Sequence, residues 1–184
     1  MPSTGLRAYL AVRGGFAVDP VLGSRSWDSL ARLGPAPLAA GDVLPVGGDA
    51  EAWPLVDAVA PPLVPAPGEP VVLDAVPGPR DGWFTPEWRT LLTDQAHRVT
   101  PDSDRVGVRT TAGRPLSRAI TRELPSEGVE TGSLQVPPDG HPILFLADHP
   151  VTGGYPVVAV LTPASVDRAA QLRPGDPVRF RITG

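Results

Sequence analysis

Gln135, the turn Pro137-Pro138-Asp139-Gly140 and the run Thr152-Gly153-Gly154-Tyr155-Pro156 lie close together around one apolar segment. A glutamine amide presents a donor and an acceptor side by side, which suits an amide or carboxylate ligand. It serves equally well to tie down its own turn. Pro137 opens that turn and is grouped with Gln135 as a binding residue. Thr152, Gly153, Gly154 and Tyr155 offer a hydroxyl, backbone N–H groups and an aromatic ring. Consecutive glycines let the backbone approach a ligand or adopt positive φ, although hairpin geometry alone accounts for them too. Further candidates stand apart. Ser24-Arg25 suits an anionic group, with Arg25 as the fork and a helix start at Ser26 adding partial positive charge; a capped helix beside a solvated arginine fits as well. Asp148 beside His149 suits proton transfer, while two exposed polar neighbours at a strand end are the plainer alternative. Asp104-Arg105 reads as a structural pair or turn.

These residues need strand ends to hold them. With 25 prolines and 20 glycines, the chain must be built of short elements joined by tight turns, since proline cannot sit inside a helix or central strand without losing a hydrogen bond. The expectation is a mainly β fold. Strands are expected at Leu6–Val12, Val43–Val46 and Val71–Val76, then around 105–110, 116–120, 132–136, 143–147, 157–161 and 178–182. Ser26 is expected to cap a short helix through Leu33, with Gly34 as its stop. Thr85-Pro86 and Thr162-Pro163 each pair a cap with a first-turn proline. The first of these opens a helix that packs Trp88, Leu91, Leu92 and Ala96 on a sheet; the second runs to about Gln171.

Residues 48–70 change texture to proline, alanine and glycine and are expected to form a linker, with Trp53, Leu55 and Val56 as anchors. The expected organisation is residues 1–47 as the closing part of a first β domain, 48–70 as linker and 71–184 as a second β domain. A weak echo links the two: Leu38 to Leu44 and Leu172 to Val178 each carry a Gly-Asp turn before an apolar strand. Two ordinary turns explain that echo; so does a repeated domain.

Composition excludes some chemistry outright. All 16 basic residues are arginine, so a Walker A lysine, a lysine Schiff base and an attached biotin are ruled out. There is no cysteine, hence no disulfide or thiolate ligand. The three histidines lack metal-ligand spacing, and no metal is expected. A net charge of −4 with scattered arginines argues against nucleic-acid binding, and no apolar run is long enough to cross a bilayer. A cytoplasmic protein is expected.

Several blocks together carry a family resemblance: Tyr9-Leu10-Ala11-Val12-Arg13-Gly14-Gly15, Val21 to Ser26, Ala40 to Gly47, Pro77-Gly78-Pro79, Trp83-Phe84-Thr85, Ser103 to Gly107, and the long stretch from Glu127 to Phe180. They resemble the allophanate hydrolase subunit 2/KipA family, also described as the C subunit of 5-oxoprolinase or as biotin-dependent carboxyltransferase-like proteins. The resemblance covers nearly all of the chain outside 48–70. It implies cyclophilin-like β-barrel domains with a few short helices. It also implies work beside a KipI-like protein (the B subunit of 5-oxoprolinase) and a protein resembling the A subunit. The implied activity is ATP-dependent opening of 5-oxoproline to glutamate, with ATP shared with or supplied by partner subunits. Carboxyl transfer, as in urea carboxylase, and KipA-like binding of a kinase inhibitor are the alternatives. Four departures stand out. The Val-Gln-Asp-Leu-Gly-Arg-like motif with which the family subunit begins is absent, so a truncated subunit or a misplaced start is expected, with the chain inactive alone. His141 stands where glutamine is common and Val108 where tyrosine is common. His149-Pro150-Val151 replaces a more polar run.

Overall fold

The computed structural model describes residues 5–48, 66 and 68–184, so most of the expected 48–70 linker, with its anchors Trp53, Leu55 and Val56, lies outside the described residues. The chain divides into two units, 1–8 with 61–184, and 9–60.

Among the described residues, the first unit is built on nine strands and two short helices. In chain order these are β1 (Val71–Pro77), α1 (Trp88–Thr93), β2 (His97–Val99), β3 (Gly107–Thr111), β4 (Glu127–Gly128), β5 (Ser133–Gln135), β6 (Ile143–Phe145), β7 (Thr152–Gly153), β8 (Val157–Leu161), α2 (Pro163–Ala169) and β9 (Pro177–Ile182). Seven strands close into a barrel in the order β1-β8-β5-β6-β3-β2-β9, and β4 and β7 form a separate two-stranded sheet. The expected mainly β fold with a barrel and short helices is therefore what forms.

Alternation makes the barrel. In β1, Val71, Leu73 and Ala75 point inward, and in β9 Val178 and Phe180 do so between exposed Arg179 and Arg181. β1 lies parallel to β9, with Leu73 opposite Phe180, and antiparallel to β8, with Ala75 opposite Leu161. Leu73, Leu134, Leu144 and Val158 are fully buried, each contributing roughly 1.5–3 kcal/mol by leaving water. The helix α2 starts with its proline at the first turn, where the missing N–H costs nothing. It docks on β1 through Ser165, whose Oγ accepts the Asp74 N–H at 2.8 Å. Asp74 also holds Arg181 at 2.5 Å and Arg168 at 3.3 Å. The Arg181 hydrogen bond is the main cause that lowers the Asp74 carboxyl below its usual range.

Several expected elements take another form. Leu6–Val12 is no strand: Tyr9 and Leu10 are 82% exposed, and the Leu6 and Arg7 amides instead donate to Gln171 Oε1 at 2.9 and 2.8 Å. An apolar run becomes a buried strand only against a partner strand, and none pairs with it among the described residues. The expected helix at 26–33 is a turn. The Asp28 carboxylate takes the Leu30 and Ala31 amides at 2.8 Å each, and Arg32 sits at φ +53°; a short acidic side chain here out-competes the helix for its own amides. Val43–Val46 contributes one bridge, Phe16 to Val46. Residues 116–120 bridge Phe84 only at Arg118, and the Ala119 and Ile120 amides are taken by the Trp83 carbonyl. The helix after Thr85 is α1, with Trp88, Leu91 and Leu92 buried and Ala96 beyond its end. Strands β2, β4 and β7 escaped the sequence reading, being only two or three residues long.

The Gly-Asp echo is real at the level of the turn. Asp42 accepts the Ala39 amide at 2.7 Å and Asp176 accepts that of Arg173 at 2.8 Å, with Gly41 at φ +99° and Gly175 at φ +91°. Only the second turn feeds a strand among the described residues.

His97 is wholly buried in β2, its ring edge-on to Phe180 with centroids 4.9 Å apart. Its Nε2 lies 3.0 Å from the Leu92 carbonyl oxygen and donates to it, which leaves Nδ1 as a buried lone pair with no partner among the described residues. Burial holds its pKa below the ordinary 6.5. As pH falls through that value the unfolded chain takes up the proton first, so native stability drops from about pH 6.5 downward until the folded group also titrates. The thermal midpoint of the wild type is expected to fall between about pH 7.5 and about pH 5.5. His97→Gln, which keeps a donor for Leu92, is expected to flatten that slope.

Candidate functional site

The site forms where β5 leaves the barrel. Between Leu134 and Gln135 the register against β8 slips from Ala159 to Val157. All three residues of β5 are buried, as expected where a bulge breaks alternation and re-aims a side chain. Gln135 is 4% exposed, and its Nε2 donates to the Tyr155 carbonyl at 2.9 Å. A Cβ on Gly153 would lie 2.5 Å from that nitrogen, so any larger residue there would displace the Gln135 amide. Thr152 and Gly153 pair with Gly128 and Glu127 in the small sheet. The two motifs thus meet through one buried amide.

The turn after β5 positions the opposite wall. Gly140 closes it by donating to the Pro137 carbonyl at 3.0 Å, and accepts the Leu116 amide at 2.9 Å. Asp139 Oδ1 takes the His141 amide at 3.0 Å. The segment after Leu116 then delivers Arg118, whose Nη2 donates to the Val136 carbonyl at 2.6 Å and whose guanidinium lies 5.8 Å from the Tyr155 ring centroid. Between these walls is a cleft of about 770 Å³, lined among others by Leu116, Arg118, Arg122, Asp139, Gly154 and Tyr155. Arg122 lies over the buried Trp83 ring at 5.4 Å and Arg80 over the same ring at 5.9 Å. Arg80 is also paired with Glu127 of β4 at 2.7 Å. Arginine cations, two carboxylates and an aromatic ring line this cleft and suit it to a small polar molecule.

Of the sequence candidates, Gly154 and Tyr155 line the cleft; Gln135, Pro137, Thr152 and Gly153 lie beside it without lining it, and the rest are placed elsewhere. Asp148 pairs with Arg105 at 2.6 Å, both about half exposed. His149 uses both ring nitrogens, Nδ1 at 2.7 Å from the Pro150 carbonyl and Nε2 at 3.0 Å from Thr131 Oγ1. Neither lines the cleft. Ser24 and Arg25 belong to the 9–60 unit, where Ser24 Oγ accepts the Ser26 amide at 3.1 Å and Arg25 Nε donates to the Val18 carbonyl at 2.7 Å. No group of three or more His, Asp or Glu residues is arranged to hold a metal among the described residues. Sequence reasoning missed Arg118 and Arg122. The signal available was two arginines four apart in a segment bounded by Pro115 and Pro125.

Gly140 is the pivot of this geometry. It sits at φ +77°, and a Cβ would lie 2.5 Å from the Leu116 carbonyl oxygen. Gly140→Ala is expected to cost more than about 1 kcal/mol in urea unfolding. Gly82→Ala, where a Cβ meets nothing within 4 Å, is expected to stay within about 0.5 kcal/mol.

Comparison with known proteins agrees with this architecture. Residues 1–182 match the family described as "Carboxyltransferase domain, subdomain A and B". The chain is 34% identical over 187 residues to the C subunit of 5-oxoprolinase from Escherichia coli (strain K12), covering 97% of this chain and 57% of that protein. It is 33% identical over 184 residues to the C subunit of 5-oxoprolinase from Haemophilus influenzae, covering 96% and 56%. The chain therefore spans somewhat over half the length of these relatives. The crystal structure of the K. lactis urea amidolyase superposes with a TM-score of 0.78 at 25% identity, over 99% of this chain and 12% of that one. The expected resemblance holds across the whole described barrel, and the chain belongs to the carboxyltransferase domain family, together with the C subunit of 5-oxoprolinase.

Proposed function

We propose that this chain works within an ATP-dependent amide hydrolase of the 5-oxoprolinase type, opening 5-oxoproline to glutamate together with partner subunits. The observation that carries this reading is the 34% identity to the Escherichia coli C subunit across 97% of the chain. The cleft supports it: 5-oxoproline is a small ring bearing a planar amide and a carboxylate, and the walls offer guanidinium groups and an aromatic ring. In the overall reaction the ring C–N bond breaks, water supplies OH to the carbonyl carbon and H to the nitrogen, and a second water takes the terminal phosphoryl group of ATP to give ADP and phosphate.

A phosphate-binding loop of the Walker A kind is not available in this chain. There is no lysine to reach the phosphates of ATP, and the helices of the described residues have six and seven residues, the longer opening on Pro163. A phosphate-binding loop needs backbone N–H groups where that proline has none. ATP is therefore assigned to a partner: the KipI-like B subunit, or the protein resembling the A subunit in the fuller assembly. What this chain contributes is substrate recognition. In that role the fixed walls hold and orient the ring while water is admitted or excluded at the amide carbon.

A second reading rests on the urea amidolyase likeness, with its TM-score of 0.78 over 99% of the chain. There the same cleft would receive urea and the carboxyl group of a carboxybiotin carried on another chain or domain. One assay separates the two. The chain, purified with its co-expressed partner subunits, is expected to hydrolyse ATP in a pyroglutamate-dependent way and to show no urea-dependent carboxylation. Alone it is expected to turn over neither. Absence of pyroglutamate-dependent hydrolysis in the complex overturns the first reading, and turnover by the isolated chain overturns the division of labour between subunits.

A further inference from the structure

Arg118 is built into its place more firmly than a surface arginine needs. Its Nη2 is tied to the Val136 carbonyl at 2.6 Å, and its guanidinium lies 5.8 Å from the Tyr155 ring centroid. Tyr155 is in turn fixed through its carbonyl by the buried Gln135 amide at 2.9 Å. The arginines Arg80, Arg105, Arg168 and Arg181 all pair with carboxylates. Arg118 has no carboxylate partner among the described residues, and its Nε is buried with no acceptor there. A guanidinium held in place on the cleft wall with no carboxylate of its own is positioned to receive one from a ligand through its remaining N–H groups.

The chemistry of that acceptor is set by the cleft. Its lining carries two cations, Arg118 and Arg122, and two carboxylates, Glu123 and Asp139. Attraction by net charge is thus weak, and recognition depends on the fork of a held guanidinium, which matches two oxygens in one plane. A phosphate would face the two lining carboxylates with more negative charge than a carboxylate does. We propose that Arg118 is the carboxylate anchor of the cleft, binding a small amide-bearing carboxylic acid whose apolar edge rests against Tyr155. The identity of that acid as 5-oxoproline rests on the function proposed above; the anchor itself rests on the geometry.

The test uses the whole 184-residue chain, titrated by nuclear magnetic resonance with three probes: pyroglutamate, 2-pyrrolidinone, which is the same ring without the carboxylate, and N-acetylglycine, an open amide acid. Pyroglutamate is expected to bind with shifts at Arg118 and Tyr155. Arg118→Gln is expected to weaken this binding by about tenfold or more without changing the weak response to 2-pyrrolidinone. Arg118→Lys keeps a cation within reach of Val136 but loses the fork, and is expected to weaken binding by a smaller factor. It also keeps the test decisive if the glutamine variant does not fold. Binding of N-acetylglycine that depends on Arg118, with none of pyroglutamate, upholds the anchor and removes 5-oxoproline as its ligand. Equal pyroglutamate affinity in the wild type and both folded variants, or no binding of either acid by the wild type, overturns the anchor.

Discussion

The parallel pairing of β1 with β9 is the constraint on which the first unit depends. It joins Val71–Ala75 to Val178–Ile182 in continuous register, closing a seven-stranded sheet that would otherwise end in two open edges. Everything between these strands is enclosed by that closure. It places Leu73 and Phe180 together at the core. It also lets β1 carry Asp74 outward to the two arginines of α2 and β9. With the wall closed, loops leaving the barrel start from fixed positions. The cleft is one product of that fixity.

The part of the fold that could be read in the sequence was the part governed by local pattern. Alternation in Val71–Pro77 and Pro177–Ile182 marks one face as buried, and Thr162-Pro163 marks a helix start, because each depends only on residues nearby. Leu6–Val12 shows the limit of such reading. Its apolar pattern is as strong as that of β8, yet β8 has β1 and β5 on either side and Leu6–Val12 has no paired strand among the described residues. Apolarity states a requirement for burial; it does not supply the partner. At 26–33 the error was different, for the acceptor that ended the helix was Asp28 itself.

The site was legible in the same partial way. Gly154 and Tyr155, which line the cleft, were recognisable because a glycine pair followed by an aromatic residue is special at a strand end; Gln135 stands behind them, its amide taken by the Tyr155 carbonyl. That Gln135 meets Tyr155 is a consequence of the β5–β8 register slip, which no periodicity encodes. Arg118 was invisible for another reason. Its segment borrows its hydrogen bonds from Trp83, Val136 and Gly140, all distant in sequence or across a turn. Asp148 and His149, adjacent in sequence, are engaged by different neighbours. Proximity along the chain was there a poor guide to joint chemistry.

The twin turns at Ala39–Asp42 and Arg173–Asp176 amount to a controlled experiment carried within one molecule. Both fold the same four-residue geometry with the same carboxylate-to-amide bond. Two residues past each aspartate, Val178 is wholly buried whereas Leu44 is only half-buried. The turn is a local instruction, formed alike whether or not a strand follows it. Its presence in both settings separates the aiming of the chain, encoded in four residues, from its burial, which depends on neighbouring strands.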